Sequence, residues 1–205
     1  MLNNPADVLS VVLRGTLGRS GRKRARRATK FLTGHGGFLS ASTMIAAAGV
    51  AWGIYDTLKG QNQGTVGTVP GIPAVTTASG AEAAGDPLAR IIQLAVSAAR
   101  ADGQLTEQER AMITARASEV GLEAIVEAEL NQTRMLADIV RGVTDPAIKK
   151  DLYVLAFAIV RADEHVSGAE RIYLAQLAHQ LGLDAATALA IETETANKID
   201  SQPEN

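Results

Sequence analysis

Apolar residues recur at helical spacing along the second half of the chain. In residues 87–101, Leu88, Ile91, Ile92 and Ala95 fall on one side of a helix, which is the pattern of an amphipathic helix with one buried face. The same spacing predicts six further helices, over residues 107–120, 123–131, 133–142, 146–162, 168–181 and 185–198. The pattern therefore predicts an all-α domain of about seven helices.

Start and stop signals frame these helices. Asp86-Pro87 and Asp145-Pro146 each supply an N-cap followed by a proline at the first helical position, and both residue types favour that arrangement. Gly121 and Gly182 stand where a left-handed residue ends a helix. Asp184 is the expected N-cap of the last helix.

An internal repeat organises this half of the chain. Residues 91–122 and 152–183 align at an offset of 61 residues, and ten of the 32 aligned positions are identical. The identities include the charged pairs Arg100/Arg161, Asp102/Asp163, Glu109/Glu170 and Arg110/Arg171. Because each copy spans a helical hairpin, we expect the two hairpins to be related by a pseudo-twofold axis and to pack their apolar faces together.

The first half of the chain has a different pattern. Residues 5–18 form a short amphipathic stretch, and a basic cluster follows, composed of Arg19, Arg22, Lys23, Arg24, Arg26, Arg27 and Lys30. Residues 31–55 contain no Asp, Glu, Lys or Arg, and about 20 such residues are enough to cross a bilayer. We predict a transmembrane helix within residues 31–58; a buried helix of a soluble protein is the alternative.

The charge distribution predicts the orientation and the domain organisation. Basic residues are retained in the cytoplasm, so the positive-inside rule places the N-terminus there and the chain beyond residue 58 outside the cytoplasm. The Gly-, Thr-, Ala- and Pro-rich stretch that follows is typical of a flexible linker. The predicted organisation is a basic amphipathic segment (1–30), a transmembrane helix (31–58), a linker (59–85), a helical domain (86–198) and a tail (199–205).

Small residues also recur within the predicted span. Ser42, Ala46, Gly49 and Gly53 lie on one stripe, and Gly49 and Gly53 form a GxxxG motif. Such a stripe lets two helix backbones approach closely in lipid. It predicts a homodimer through Gly49 and Gly53, although Gly and Ala are common in any weakly apolar span.

Composition narrows the classes of function. The net charge of −2 divides into +7 for residues 1–59 and −9 for residues 60–205, so we expect the basic part to face membrane lipids and not nucleic acid. The chain has no Cys, which excludes disulfides and thiolate metal sites. It also lacks a catalytic triad, a phosphate-binding glycine loop and an HExxH motif. We therefore predict a protein that is not an enzyme.

The repeated acidic residues are the candidate metal ligands. Asp102, Glu109, Asp163 and Glu170 lie at or near the turns of the two hairpins, and carboxylates are the ligands of hard divalent cations. The alternative for the glutamates is a capping box, because Thr106 and Ser167 precede them by three residues. The alternative for the aspartates is a turn-forming role.

The chain resembles the TerB-like superfamily, which is named for a bacterial tellurite-resistance protein. The resemblance rests on the paired A-D-x-x-[LV]-[ST]-x-x-E-R motifs, on the Gly-Leu that closes each hairpin and on the helix start at Thr144-Asp145-Pro146. The N-terminal half is similar in character to bacterial inner-membrane proteins that carry such a domain. The resemblance implies an all-helical domain with acidic residues that bind a divalent metal, and a role in metal or envelope stress at the inner membrane. With the predicted orientation, the domain would be periplasmic.

Two hypotheses follow from these observations. The first is a membrane-anchored binding module for a divalent cation or an unknown protein partner. The second is a structural scaffold whose acidic pairs are only helix caps. In a third version, the basic segment holds the protein at the membrane surface as a peripheral anchor.

Overall fold

The computed structural model describes residues 23–33, 38, 87–103, 105–119, 123–162 and 166–203. Several sequence predictions lie outside these residues: the amphipathic stretch 5–18, most of the predicted span with Gly49 and Gly53, the linker, Gly121 and Asp163. No helix in the described ranges has the length and apolar character needed to cross a membrane.

The described residues are all-helical, with no strand among them. Their eight helices are α1 (Lys23–Thr33), α2 (Pro87–Ala99), α3 (Glu107–Glu119), α4 (Glu123–Asn131), α5 (Leu136–Ile139), α6 (Pro146–Val160), α7 (Gly168–Leu181) and α8 (Ala185–Asp200). This confirms the all-α class, and the bounds of α4 and α7 are those that the sequence predicts.

Helix α6 is the centre of the fold. Its nine residues from Leu152 to Val160 are all buried, so the helix is covered on every side, which its apolar sequence predicts. It packs against α1, α2, α7 and α8. Fully burying each large apolar side chain stabilises the fold by about 1.5–3 kcal/mol, so this helix supplies a large share of the core.

The predicted caps of the second half are present. The Asp145 carboxylate accepts hydrogen bonds from the amides of Ala147 (2.7 Å) and Ile148 (3.3 Å) at the start of α6. Asp184 accepts one from Thr187 (2.7 Å) at the start of α8. Gly182 ends α7 with a left-handed φ of 69°, a conformation that side chains with a Cβ disfavour.

Helix α5 is shorter than predicted. The sequence predicts a helix over residues 133–142, but only Leu136–Ile139 is helical. Met135 has an extended backbone, and Gly142 has a φ of 75°. Arg134 turns back to bind Glu129, so the chain before α5 forms an extended connection in place of a first helical turn.

Helix α1 packs onto the C-terminal helices, which the sequence pattern does not predict. Its buried residues Ala25, Ala28, Phe31 and Leu32 face α8 and α6. They recur at three- and four-residue spacing, so α1 is an amphipathic helix whose apolar side is buried in the protein. Phe31 also stacks on Phe38, with ring centroids 5.7 Å apart.

Candidate functional site

The four predicted acidic ligands have different positions. Asp102 is exposed in the turn after α2, and Glu109 lies in the first turn of α3. Glu170 is buried in α7, with 4% of its surface exposed. Asp163 lies outside the described part of the chain. Their role as metal ligands therefore stays a prediction, and no cluster of three or more His, Asp or Glu residues that could hold a metal occurs among the residues described.

Glu170 belongs to a capping box, which confirms the alternative for this residue. Its Oε2 accepts a hydrogen bond from the amide of Ser167 (2.6 Å), and the Ser167 hydroxyl accepts one from the amide of Glu170 (3.2 Å). Two amides at the start of α7 that have no partner within the helix are satisfied in this way. The carboxylate is thus already engaged in a structural role.

The repeated arginines near the ends of α2 and α6 also have a structural role. Arg100 donates to the backbone carbonyls of Leu130 and Gln132 (3.0 Å to Gln132) at the C-terminal end of α4. In the second copy, Arg161 donates to the Asp200 carboxylate (2.8 Å) at the end of α8. The last carbonyls of a helix lack partners within the helix and attract cations. Each arginine thus holds the end of the helix that follows its hairpin.

A groove runs between α2, the connection from α4 to α5, and α7. Its volume is about 930 Å³, within the usual range of roughly 300–1,000 Å³ for binding pockets. We call it the α2–α7 groove. It is lined by polar residues and by the apolar side chains of the neighbouring helices, including Gln93, Val96, Ser97, Arg100, Glu129, Arg134, Met135, Leu136, Ile139, Ile172, Tyr173, Gln176 and His179.

A buried ion pair fixes one wall of the α2–α7 groove. Glu129 is 5% exposed, and the Nε of Arg134 lies 2.8 Å from each of its two carboxylate oxygens. The Nε2 of Gln93 donates to the same carboxylate at 3.4 Å. A buried carboxylate without partners costs several kcal/mol, so these contacts hold Glu129, and with it the connection before α5, in place.

The wall of α7 contributes a polar group that is not satisfied. Tyr173 lines the groove and is buried, yet its hydroxyl has no hydrogen-bond partner within the described part of the chain. Ser97 is the neighbouring polar side chain, but its hydroxyl does not meet the geometry of a hydrogen bond to the phenol. Burial raises the pKa of the Tyr173 phenol well above its usual range. The hydroxyl is therefore a neutral donor, and leaving it unsatisfied costs about 1–3 kcal/mol.

Among the described residues, three large apolar side chains are exposed, and two of them lie at this groove. Met135 is 69% exposed and Ile172 is 61% exposed, and both line the α2–α7 groove. The third, Leu189 on α8, is 63% exposed and lines a separate groove between α6, α7 and α8. The sequence does not indicate the α2–α7 groove, because the residues of the groove come from four separate segments. The exposure of Met135 and Ile172, which indicates the groove, can be recognised only in the folded structure.

Comparison with known proteins identifies one family. The profile of the family described as "Protein of unknown function (DUF533)" matches residues 7–195, and this family is TerB-like. No curated protein and no solved structure matches the chain.

Proposed function

The chain belongs to the DUF533 family of TerB-like proteins, and we propose that its helical domain is a non-enzymatic module that binds a partner protein in the α2–α7 groove. The observation that carries this proposal is the pair of exposed apolar residues, Met135 and Ile172, which line the same groove. Apolar side chains on the surface of a groove are stabilised when a partner removes them from water.

The walls of the groove suit a preformed docking site. Glu129 and Arg134 are held to each other, and Arg100 is held to the end of α4. A wall with fixed side chains loses little conformational freedom when a partner binds. Met135, by contrast, is flexible at its side chain, so it can adapt to the apolar surface of a partner.

The chemistry of the groove also indicates the character of the partner segment. Among the described lining residues, Glu129 balances the charge of Arg134, which leaves the positive charge of Arg100. An apolar segment with an acidic edge matches this charge.

The test places a photoreactive amino acid at Gln176, which lines the groove and is exposed, in the full chain expressed in bacterial cells. We expect a crosslinked partner band that Ile172→Asp and Met135→Asp abolish. Leu189→Asp is the matched control, since Leu189 is equally exposed on another surface. Circular dichroism verifies that all three variants fold. A band that survives both groove variants, or that Leu189→Asp also removes, rejects the proposal.

Cation binding by Asp102, Glu109, Asp163 and Glu170 stays a separate prediction. The capping role of Glu170 counts against it, because a carboxylate that leaves a capping box exposes the helix end. Calorimetry of the full chain with Mg²⁺, Ca²⁺, Mn²⁺ and Zn²⁺ decides the matter. Absence of binding heat, together with an unchanged melting temperature at millimolar metal, removes the prediction.

A further inference from the structure

Helix α1 contacts a part of the chain from which, according to the sequence prediction, a membrane separates it. Lys23–Thr33 precedes most of the uncharged stretch, and α2 to α8 follow it. A single crossing between them would put about 30 Å of hydrocarbon between α1 and the other helices.

The contacts of α1 do not allow that separation. Ala28 and Leu32 are fully buried, and Ala25 and Phe31 nearly so, against α8 and α6. The Nζ of Lys30 donates to the backbone carbonyl of Pro203, 3.4 Å away, beyond the end of α8. Contacts at van der Waals and hydrogen-bonding distance require both partners in one compartment.

We infer that α1 and the helical domain from α2 to α8 lie on the same face of the membrane, and that this face is the cytoplasmic one. The side follows from the charge of α1, which has five basic residues in eleven and no acidic residue. Basic residues next to a membrane are retained in the cytoplasm.

The shared cytoplasmic face determines the compartment in which the proposed partner would be found, and it does not depend on the proposed function. The α2–α7 groove would meet cytoplasmic partners, whereas the orientation predicted from the sequence would offer it to the periplasm. The exposed edge of α1, which includes Arg26, would be available to the anionic lipids of the inner leaflet.

The absence of Cys from the chain makes a direct test possible. Single variants Arg26→Cys in α1 and Leu189→Cys in α8, both at exposed positions, are treated with a membrane-impermeant maleimide in intact spheroplasts and again after permeabilisation. A periplasmic reporter with one Cys verifies that the reagent works. We expect neither variant to react in intact spheroplasts and both to react after permeabilisation.

The other outcomes overturn the inference in distinct ways. Labelling of Leu189→Cys but not of Arg26→Cys in intact spheroplasts means a single crossing and rejects the shared compartment. Labelling of both means that the face is periplasmic. The groove proposal survives either result, because its test concerns Ile172 and Met135 alone.

A second measurement addresses the contact itself. Ala28→Glu introduces a charge at a fully buried position of α1, whereas Arg26→Glu introduces the same side chain at an exposed one. We expect Ala28→Glu to release α1 and to accelerate tryptic cleavage at its basic residues, while Arg26→Glu leaves the remaining α1 sites protected. Equally fast cleavage of α1 in both variants and in the unmodified chain would mean that α1 is not held by the domain.

Discussion

The two copies of the repeat share their arginines but differ in what covers them. In the second copy, α6 is enclosed by neighbouring helices, and Val154 and Ala158 are buried. The equivalent positions of the first copy, 61 residues earlier, are Gln93 and Ser97, which line the α2–α7 groove. The repeated arginines hold helix ends in both copies, and Arg100 also lines the groove. The polar residues Gln93 and Ser97 of the groove stand where the copies diverge.

The same difference extends to the second hairpin helix. Tyr173 of α7 corresponds to Met112 of α3, so the unsatisfied hydroxyl is present in one copy only. Three of the identical residues, Arg100, Arg161 and Glu170, have structural roles. The positions at which a polar residue replaces an apolar one give the better indication of a site.

The largest expected effect compares equivalent leucines in the two copies. Leu94 and Leu155 occupy the same repeat position, and both are fully buried. We expect Leu94→Ala and Leu155→Ala each to lower the free energy of unfolding by about 2–5 kcal/mol. Leu155→Ala should cost more, because α6 is covered on all sides. Urea denaturation measures both, and a larger loss for Leu94→Ala would contradict the central position of α6.

The next effect concerns the ion pair of the groove. Arg134→Ala leaves Glu129 buried without its cation, and we expect a loss of about 1–3 kcal/mol, which is less than for a fully buried pair because Arg134 is partly exposed. Arg141→Ala removes the exposed pair with Asp138 and should change stability by less than about 1 kcal/mol. Thermal unfolding of the two variants separates them. Equal losses would show that Glu129 does not depend on its partner.

A smaller effect distinguishes a cap from a metal ligand. Ser167→Ala removes one half of the capping box and should lower the free energy of unfolding by about 1 kcal/mol. Glu170→Gln should be nearly neutral, since Gln also serves in a capping box. Thr106→Ala is the equivalent change in the first copy of the repeat, and its loss of stability is compared with that of Ser167→Ala. If Glu170→Gln keeps full stability but abolishes metal binding in calorimetry, the metal prediction regains support.

The smallest effect is a pH dependence at the start of α8. Hydrogen bonds from the Thr187 backbone and side chain hold the pKa of Asp184 below its usual value. Its contribution to stability is therefore complete above the ordinary pKa of Asp, about 3.9, and is lost as the pH falls through the lower pKa of the folded state. NMR titration measures that pKa. Asp184→Asn should keep the cap and remove this part of the acid dependence.

Local signals in the sequence predict most of the helical domain. The proline and aspartate that begin α6, the glycine that ends α7 and the capping box of Ser167 and Glu170 act over four residues or fewer. Such signals can be recognised in a sequence because the interacting groups are close along the chain. The family resemblance to TerB-like proteins rests on the same motifs and is confirmed.

Contacts between distant residues could not be predicted in this way. The burial of α1 depends on α8, more than 150 residues later in the chain. The ion pair of Arg134 with Glu129 accompanies the shortened α5, and the α2–α7 groove depends on how α2, α7 and the connection from α4 to α5 meet. Periodicity identifies the apolar side of a helix but does not say which surface covers it.

The packing of α1 on α8 also has a consequence for synthesis. The first of these helices to leave the ribosome is covered by the last, Ala185–Asp200. At about 5–20 residues per second, translation takes roughly 10–30 s to cover that distance. During this interval, the apolar side of α1 waits first for α6 and then for α8, the two helices that cover it in the finished domain. The docking of α1 is therefore a late step of folding, which is completed only when the chain is nearly finished.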